Sequence, residues 1–289
     1  MSTSAVSKWD LQTWAAINNS VKTAIGNIRV AQRVFLATQL SGVTSVPANV
    51  LHRDQVSITE GQTKPYMEIS VEFSLTYGQV NDDPNGLTGI TLAKLAAKSL
   101  ALAEDMLFLQ GRAVQLPPGV QVESGREYAA EGMLGLVRPE STFDVHHSDP
   151  GVPTNSGGEI LAAVAKGIAI LTKEGQAPPF GLILDTNSFA ATWGSVINGA
   201  PTYTVLNPII TQGIFGTGAM PPNTGLLVAL GGDPTTIYYD ADPVTELTHR
   251  DSKGRYVFRV FERVQYVACD HRAFVKMNFP EAKAAKGKP

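Results

Sequence analysis

The sequence predicts an α+β fold. Three observations carry that expectation. Met67, Ile69, Val71, Phe73 and Leu75 alternate with polar residues over nine positions, the period of a strand with one dry face. Thr91 to Leu109 follows with apolar residues at helical spacing. Beyond Gly231-Gly232-Asp233-Pro234 the chain changes from mixed helix and strand to strands alone.

Taken in order, Ser7 is placed to cap a helix starting at Lys8, and Leu11, Trp14, Ile17, Val21, Ile25 and Ile28 follow at steps of three and four. That face either packs on its own domain or stays partly available to a partner. From residue 42 to 64 the pattern thins into a polar stretch with strand-like alternation and few large apolar groups, too few for a core of its own. A long arm or hairpin leading into the Met67–Leu75 strand fits, and an arm of that kind finds its burial on another subunit. Asn81, Asp83, Asn85 and Gly86 imitate the start of a calcium loop, but the twelfth place is Leu92 where a bidentate Glu is needed, so the stretch is a turn leading into a helix.

The helix over 91–109 has Leu92, Leu95, Ala96, Ser99, Leu102, Ala103, Met106 and Leu109 as its expected buried face and Gly111 as its stop. Its many alanines imply close packing against a neighbour. Residues 112 to 157 are rich in Pro and Gly and read as a crossing between domains. Glu159 to Glu174 is a second helix closed by Gly175, Leu182-Ile183-Leu184 a buried strand, Asn187 to Trp193 a short helix and Leu226 to Leu230 another strand. This alternation predicts a compact α/β insertion over about 155–232, with Asn198 to Asn223 as a surface loop. Strands are expected at 235–239, 256–262, 265–270 and 273–278, before a small polar tail.

Composition narrows the function. Of 289 residues 43% are hydrophobic and 17% charged, with a formal charge of −3, against about 25% charged in an ordinary chain. A general affinity for nucleic acid or anionic membrane is therefore not expected. The 27 glycines and 18 prolines, roughly 16% of the chain, imply many turns. The single cysteine, Cys269, excludes an internal disulfide framework and fits a reducing compartment. No signal peptide is visible in the first 25 residues, and the most apolar helical stretch, Ile160 to Leu171, is too short to span a bilayer. The expectation is a cytoplasmic protein.

A search for catalytic chemistry finds no convincing constellation. The sequence contains no Gly-x-Ser-x-Gly elbow, phosphate-binding loop or His-Glu-x-x-His helix. Cys269 and His271 sit two apart on an expected strand, where a thiolate–imidazole pair is conceivable, but neighbours on one strand rarely meet head to head, and a buried structural thiol is the plainer reading. His146, His147 and Asp149 lack a further ligand for a metal. Glu104 and Asp105 face about 100° apart on a helix and read as solvated or salt-bridging rather than as an acid–base pair. No catalytic residue, cofactor or metal is assigned, and elimination favours a structural protein.

The residues themselves carry a resemblance. The strand from Pro65 to Leu75, then an acidic turn, then Leu95 to Gln110 with Leu102-Ala103-Glu104-Asp105 and a closing Gly111, resembles the corresponding stretch of encapsulins, the linocin-like nanocompartment shell proteins. An N-terminal helix with Trp9 and Trp14, Phe180-Gly181-Leu182-Ile183-Leu184 in the insertion and a closing Tyr256 to Val260 strand agree more loosely. About two thirds of the chain is covered. The closing segments, Val257 to Arg263 and Ala273 to Lys276, also look like a phage capsid ending, which keeps a virion or prophage capsid as the alternative.

The resemblance implies the HK97-type fold of tailed-phage major capsid proteins. Residues 1–50, 70–154 and 233–280 would form a peripheral domain, 51–69 an extended loop, 155–232 an axial domain and 281–289 a flexible tail. It implies an icosahedral shell with on the order of 60 copies or a multiple, no enzymatic activity of its own, and a cargo enzyme held by a short C-terminal peptide, a ferritin-like protein or a peroxidase being plausible. The groove for that peptide carries over onto Leu11, Trp14, Ile17 and Val21, and the loop contacts between subunits onto Val56, Ile58 and Tyr66. A low charge fraction, an arm that cannot fold alone and an alanine-rich helix are then explained by burial between copies.

Overall fold

In the computed structural model the residues described are 9–48, 50–51, 58–59, 63–83, 85–124, 131–145, 157–197 and 199–279. In chain order the first stretch gives helices α1 (Leu11–Ile28) and α2 (Ala31–Val34) and strands β1 (Leu36–Gln39), β2 (Ser45–Pro47), β3 (Val50–Leu51), β4 (Ile58–Thr59), β5 (Thr63–Pro65) and β6 (Met67–Leu75). Helices α3 (Tyr77–Asn81) and α4 (Leu87–Gln110), strand β7 (Val120–Ser124), helix α5 (Gly132–Leu136) and strand β8 (Thr142–Asp144) follow. Then come α6 (Gly157–Lys173), β9 (Phe180–Leu184), α7 (Thr186–Gly194), β10 (Val196–Ile197), β11 (Ala200–Pro201), α8 (Thr202–Leu206), β12 (Gly213–Gly216) and β13 (Thr224–Ala229). The chain closes with β14 (Thr235–Tyr239), β15 (Val244–Arg250), β16 (Tyr256–Ala268) and β17 (Phe274–Asn278).

The first helix starts three residues later than Lys8, because Asp10 is the cap: its carboxylate accepts the Thr13 N–H at 2.7 Å. Ser7 lies outside the described residues. Ile17, Val21 and Ile25 are buried on this helix, whereas Leu11 is 89% exposed. The apolar stripe therefore packs on its own chain from the second turn onward. What it meets is α4, whose alanines Ala93, Ala96 and Ala97 are buried and let the two helices approach closely.

Helix α4 runs four residues further toward the N-terminus than its periodicity suggests and stops as expected at Gly111, whose φ of +84° is a left-handed position that a side chain would strain. Leu95, expected inside, is 55% exposed, while Leu100, Ala101, Leu107 and Phe108 are buried. The C-terminal half of the helix is covered nearly all round, so one face no longer describes it. Near its start Gly89 admits Trp9: a Cβ built there would lie 2.5 Å from the indole ring. Gly89→Ala is therefore expected to lower stability by ~1–3 kcal/mol, overpacking outweighing the better helix propensity of alanine; chemical unfolding measures it.

Two sheets stand on this frame. The first has the order β1-β14-β16-β6-β7, with β15 also pairing along β16. Its inner face, including Ile69, Phe258, Val260 and Tyr266, packs on α4 and α1. The second has the order β12-β9-β13-β17-β8, and both of its faces are buried. Leu182, Leu227 and Val275 face one way into a cluster with Ile160 and Val164 of α6, while Ile183, Leu226 and Phe274 face the core of the first sheet. Strands wet on neither face read as continuous apolar runs, as Phe180–Leu184 and Thr224–Ala229 do.

Several expectations change here. The stretch from 198 to 223 is not a surface loop: it holds β11, α8 and β12, and β12 pairs in parallel with β9 from Gly213↔Gly181 to Gly216↔Leu184. Its glycines hid the strand. The two segments 256–262 and 265–270 are one thirteen-residue strand, β16. Glu262, a charge in the middle, looked like a break, but it is buried facing Arg29. Strand β15 was missed because its last three residues are exposed and carry little apolar pattern. The second sheet also reaches beyond the 155–232 insertion, drawing β8 from 142–144 and β17 from 274–278.

Candidate functional site

Two features of the fold project from the sheets and bear on what the chain can contact: the hairpin between β2 and β5, and the start of α1. The hairpin is built by two antiparallel pairings, Ser45–Pro47 with Thr63–Pro65 and Val50–Leu51 with Ile58–Thr59. Its polar sequence gives it little to bury. Its base is anchored by a small cluster of Val46, Ala48, Tyr66 and Val267. Tyr66 donates its hydroxyl to the Leu40 carbonyl at 2.7 Å, and Gln265 of β16 donates its amide to the Pro65 carbonyl at 2.6 Å.

Of the three residues expected on the subunit-contact loop, Tyr66 is thus buried within its own chain, 6% exposed, and holds the base of the hairpin. Ile58 contributes backbone pairing to Leu51 in β4. Val56 lies outside the described residues. Lys64, beside Cys269 at the base, is pushed below the ordinary lysine range by burial.

At the start of α1 the four groove candidates separate. Leu11 is exposed and Trp14 half-buried, whereas Ile17 and Val21 are sunk against α4 and reach no surface. Trp14 is the rim of an aromatic stack that sequence spacing did not reveal. Its ring meets Trp9 edge-on at 5.6 Å, Trp9 stacks on Phe258 at 5.3 Å and Phe258 on Phe73 at 5.4 Å. Trp9 is further fixed by donating its indole N–H to the Asp83 carbonyl. The signal in the sequence was the pair of tryptophans five apart; which strand residues receive them is set by the pairing of β6 with β16, where Phe73 and Phe258 are directly opposed.

The positions screened for catalysis have structural surroundings. Strand β16 ends at Ala268, so Cys269 and His271 do not share a strand: Cys269 lies in the turn and His271 opens a short 3-10 turn. Burial, then the neighbouring Asp270 carboxylate, pushes the Cys269 thiol up, the opposite of an activated thiolate. Asp83 in the calcium-like turn accepts the Thr88 N–H at 2.7 Å and so serves the start of α4. Among the described residues no group of three or more His, Cys, Asp or Glu is placed to hold a metal ion. His146, His147 and Asp149 lie outside them. No described helix is long and apolar enough to cross a membrane.

Glu104 and Asp105 are buried, not solvated. Glu104 pairs with Arg29, which also pairs with Glu262, while Asp105 accepts the N–H groups of Val30 and Ala31. The acidic pair that ends the long helix is therefore a structural joint, placing the end of α1 and all of α2 against α4. On the other face of the first sheet Arg259 bridges Glu68, Glu123 and Glu246, tying together β6, β7, β15 and β16.

The model of the family described as encapsulating protein for peroxidase matches residues 10–264. No curated protein sequence matches. Among solved structures the chain is similar to the virus-like particle from Pyrococcus furiosus, with a TM-score of 0.69 at 16% identity over 93% of this chain and 100% of that one. It is similar to the SrpI encapsulin of Synechococcus elongatus, TM-score 0.55 at 10% identity over 86% and 85%, and to Gordonia phage Cozz, TM-score 0.53 at 13% identity over 87% and 86%. These likenesses give the fold, the HK97-type capsid fold with its mixed helices and sheets. The family match runs from the cap of α1, through the hairpin and the long helix, into β16: the chain belongs to the family of encapsulating proteins for peroxidase, self-assembling shell proteins on the tailed-phage capsid fold.

Proposed function

We propose that the chain forms a closed icosahedral shell in the cytoplasm, on the order of 60 copies or a multiple, around a cargo enzyme. Membership of the encapsulating family carries the reading and gives the chain a structural rather than catalytic role. The hairpin supports it: two short antiparallel pairings in a polar stretch with few large apolar residues, seated on a small cluster at the base, would find a natural partner on the next subunit. In this reading residues 51–69 are the extended loop, 1–50, 70–154 and 233–280 the peripheral domain and 155–232 the axial domain, with strands shared between the last two. Negative-stain microscopy of the purified chain tests assembly. Uniform hollow spheres are expected; a monomer or dimer at micromolar concentration overturns the reading.

The cargo is proposed to dock by a short C-terminal peptide against the start of α1, with exposed Leu11 and half-buried Trp14 making the contact and Ile17 and Val21 holding the helix from beneath. The family's description points to a peroxidase as cargo; a ferritin-like protein is the other candidate. Trp14→Glu is expected to empty shells of co-expressed cargo without preventing assembly, read by co-purification. Retained cargo moves the site elsewhere. A phage capsid is the second reading, favoured by the shared fold of Gordonia phage Cozz. Neighbouring reading frames separate the two: an enzyme with a C-terminal tag, or portal, protease and tail genes.

A further inference from the structure

The corner between the first two helices holds more carboxylate than cation. Arg29 at the end of α1 is 7% exposed and forms ion pairs with Glu104 of α4 and Glu262 of β16. Beside them Asp105 accepts the Val30 N–H at 2.7 Å and the Ala31 N–H at 2.9 Å, and Gln32 of α2 donates its amide to Glu104 at 3.1 Å. One guanidinium thus faces three buried carboxyls. If all ionise, the group holds an excess of negative charge away from water, which burial strongly disfavours.

Among the described residues no second cation pairs with these carboxyls from the elements packed around. Strand β6 turns Met67 and Ile69 inward and pairs its Glu68 with Arg259 and Arg263 on the far face. Tyr266 of β16 gives its hydroxyl to the Leu107 carbonyl, and α5 brings Met133 and Leu134. Two clefts reach the cluster from either side of the turn after β14. The smaller, about 270 Å³, has Arg29 in its wall, with Arg33, Lys22 and Asp242 on the rim, the last two bonded to each other at 2.7 Å. The larger, about 380 Å³, has Glu262 in its wall, with Asp240, Glu246, Arg259 and Arg263 around it. Arg29 lines the smaller cleft, so the corner lies next to solvent although the groups themselves are covered.

We propose that this cluster is an acid-strengthened latch: a proton held on the Glu104 carboxyl, beside the Arg29–Glu262 pair, closes the corner of α1 and α2 onto α4 and β16, and its release to solvent in mildly alkaline conditions loosens the first helix. Glu104 and Glu262 meet on the single guanidinium of Arg29. Burial, against the pull of Arg29 and with the push of Glu262 and Asp105, drives Glu104 well above the ordinary carboxylate range. Burial also pushes Asp105 up to about 6 despite its two backbone donors. Both shifts are upward, so the folded chain binds these protons more tightly than the unfolded one. The stabilisation is complete below the ordinary value near 3.8 and is lost as pH rises through about 6 and beyond.

Among the other shifted groups Cys269, whose thiol burial pushes up, acts in the same sense, but only from the ordinary thiol range upward and equally with or without Glu104. Asp10, Asp83, Asp251 and Asp270 are pushed down and act in acid, and Lys64, pushed down by burial, would change stability in the opposite sense. The test is thermal unfolding of the full chain between about pH 6 and about pH 8.5. The unmodified protein is expected to lose several degrees toward the alkaline end. Glu104→Gln, which keeps the shape and cannot ionise, is expected to match it near pH 6 and to unfold ~3 °C or more higher near pH 8.5. Parallel curves overturn the proposal. Should Glu104→Gln not fold, infrared absorption of the unmodified protein near neutral pH decides independently: an un-ionised carboxyl band that disappears with alkali is expected, and its absence overturns the latch.

Discussion

Arg29→Met is expected to cost ~3–5 kcal/mol at neutral pH, the penalty for leaving buried carboxyls without their cation. Against a typical stability of ~5–15 kcal/mol that is roughly a fifth or more of the total. Methionine fills the space of the aliphatic stem, so the loss is one of charge and hydrogen bonds rather than volume. Glu104 and Glu262 would face each other with nothing between them, while Asp105 keeps its backbone donors from Val30 and Ala31. The deficit should shrink as pH falls, because protonation removes the repulsion that Arg29 no longer offsets. Unfolding by urea at about pH 5 and about pH 8 checks both the size and the direction; a loss independent of pH would mean that packing, not charge, is what Arg29 supplies.

Shortening the hairpin should separate folding from assembly. Replacing residues 49–62 with a short Gly-Ser turn leaves the Ser45–Pro47 and Thr63–Pro65 pairing and the Val46, Ala48, Tyr66 and Val267 cluster in place. The variant is expected to keep its circular dichroism and to sediment as a small species, with shells lost altogether. The physical reason is area: obligate assemblies bury about 2,000 Å² or more between partners, and a polar hairpin with too few large apolar residues for a core of its own is suited to supply part of it. Intact shells from the shortened chain would place the assembly contacts on the two sheets instead.

Much of the fold was legible because burial leaves a period in the sequence. Met67–Leu75 is the strand its alternation describes, residue for residue. The long helix and its stop at Gly111 follow from runs long enough to average over exceptions, as do the helix expected from Glu159 and the strands expected from Leu182 and Leu226, each of which begins two residues earlier in the structure. Where the pattern failed, a tertiary contact had replaced it. Glu262 broke an apolar strand on paper because its partner, Arg29, is 233 residues away. β12 is short and glycine-rich and becomes a strand only beside β9. Nothing local says that β17 leaves the strands before it to join β13 and β8.

The candidate contacts divide in the same way. Helical spacing put Leu11, Trp14, Ile17 and Val21 on one stripe, but a stripe does not say where its burial ends, and α4 covers the last two while leaving Leu11 in water. The pair Glu104-Asp105 carried family resemblance without a stated purpose, and adjacent acids on a helix ordinarily face solvent. By itself the sequence determined the class of fold and the poverty of the arm in large apolar residues, since these depend on composition and on periods set by backbone geometry, and its resemblance to a known family pointed to the kind of protein this is. Which carboxyls are buried, which aromatic rings meet and which end of the first helix stays exposed were decided only by the tertiary structure, because each depends on groups far apart in the chain that come into contact when the helices and sheets pack.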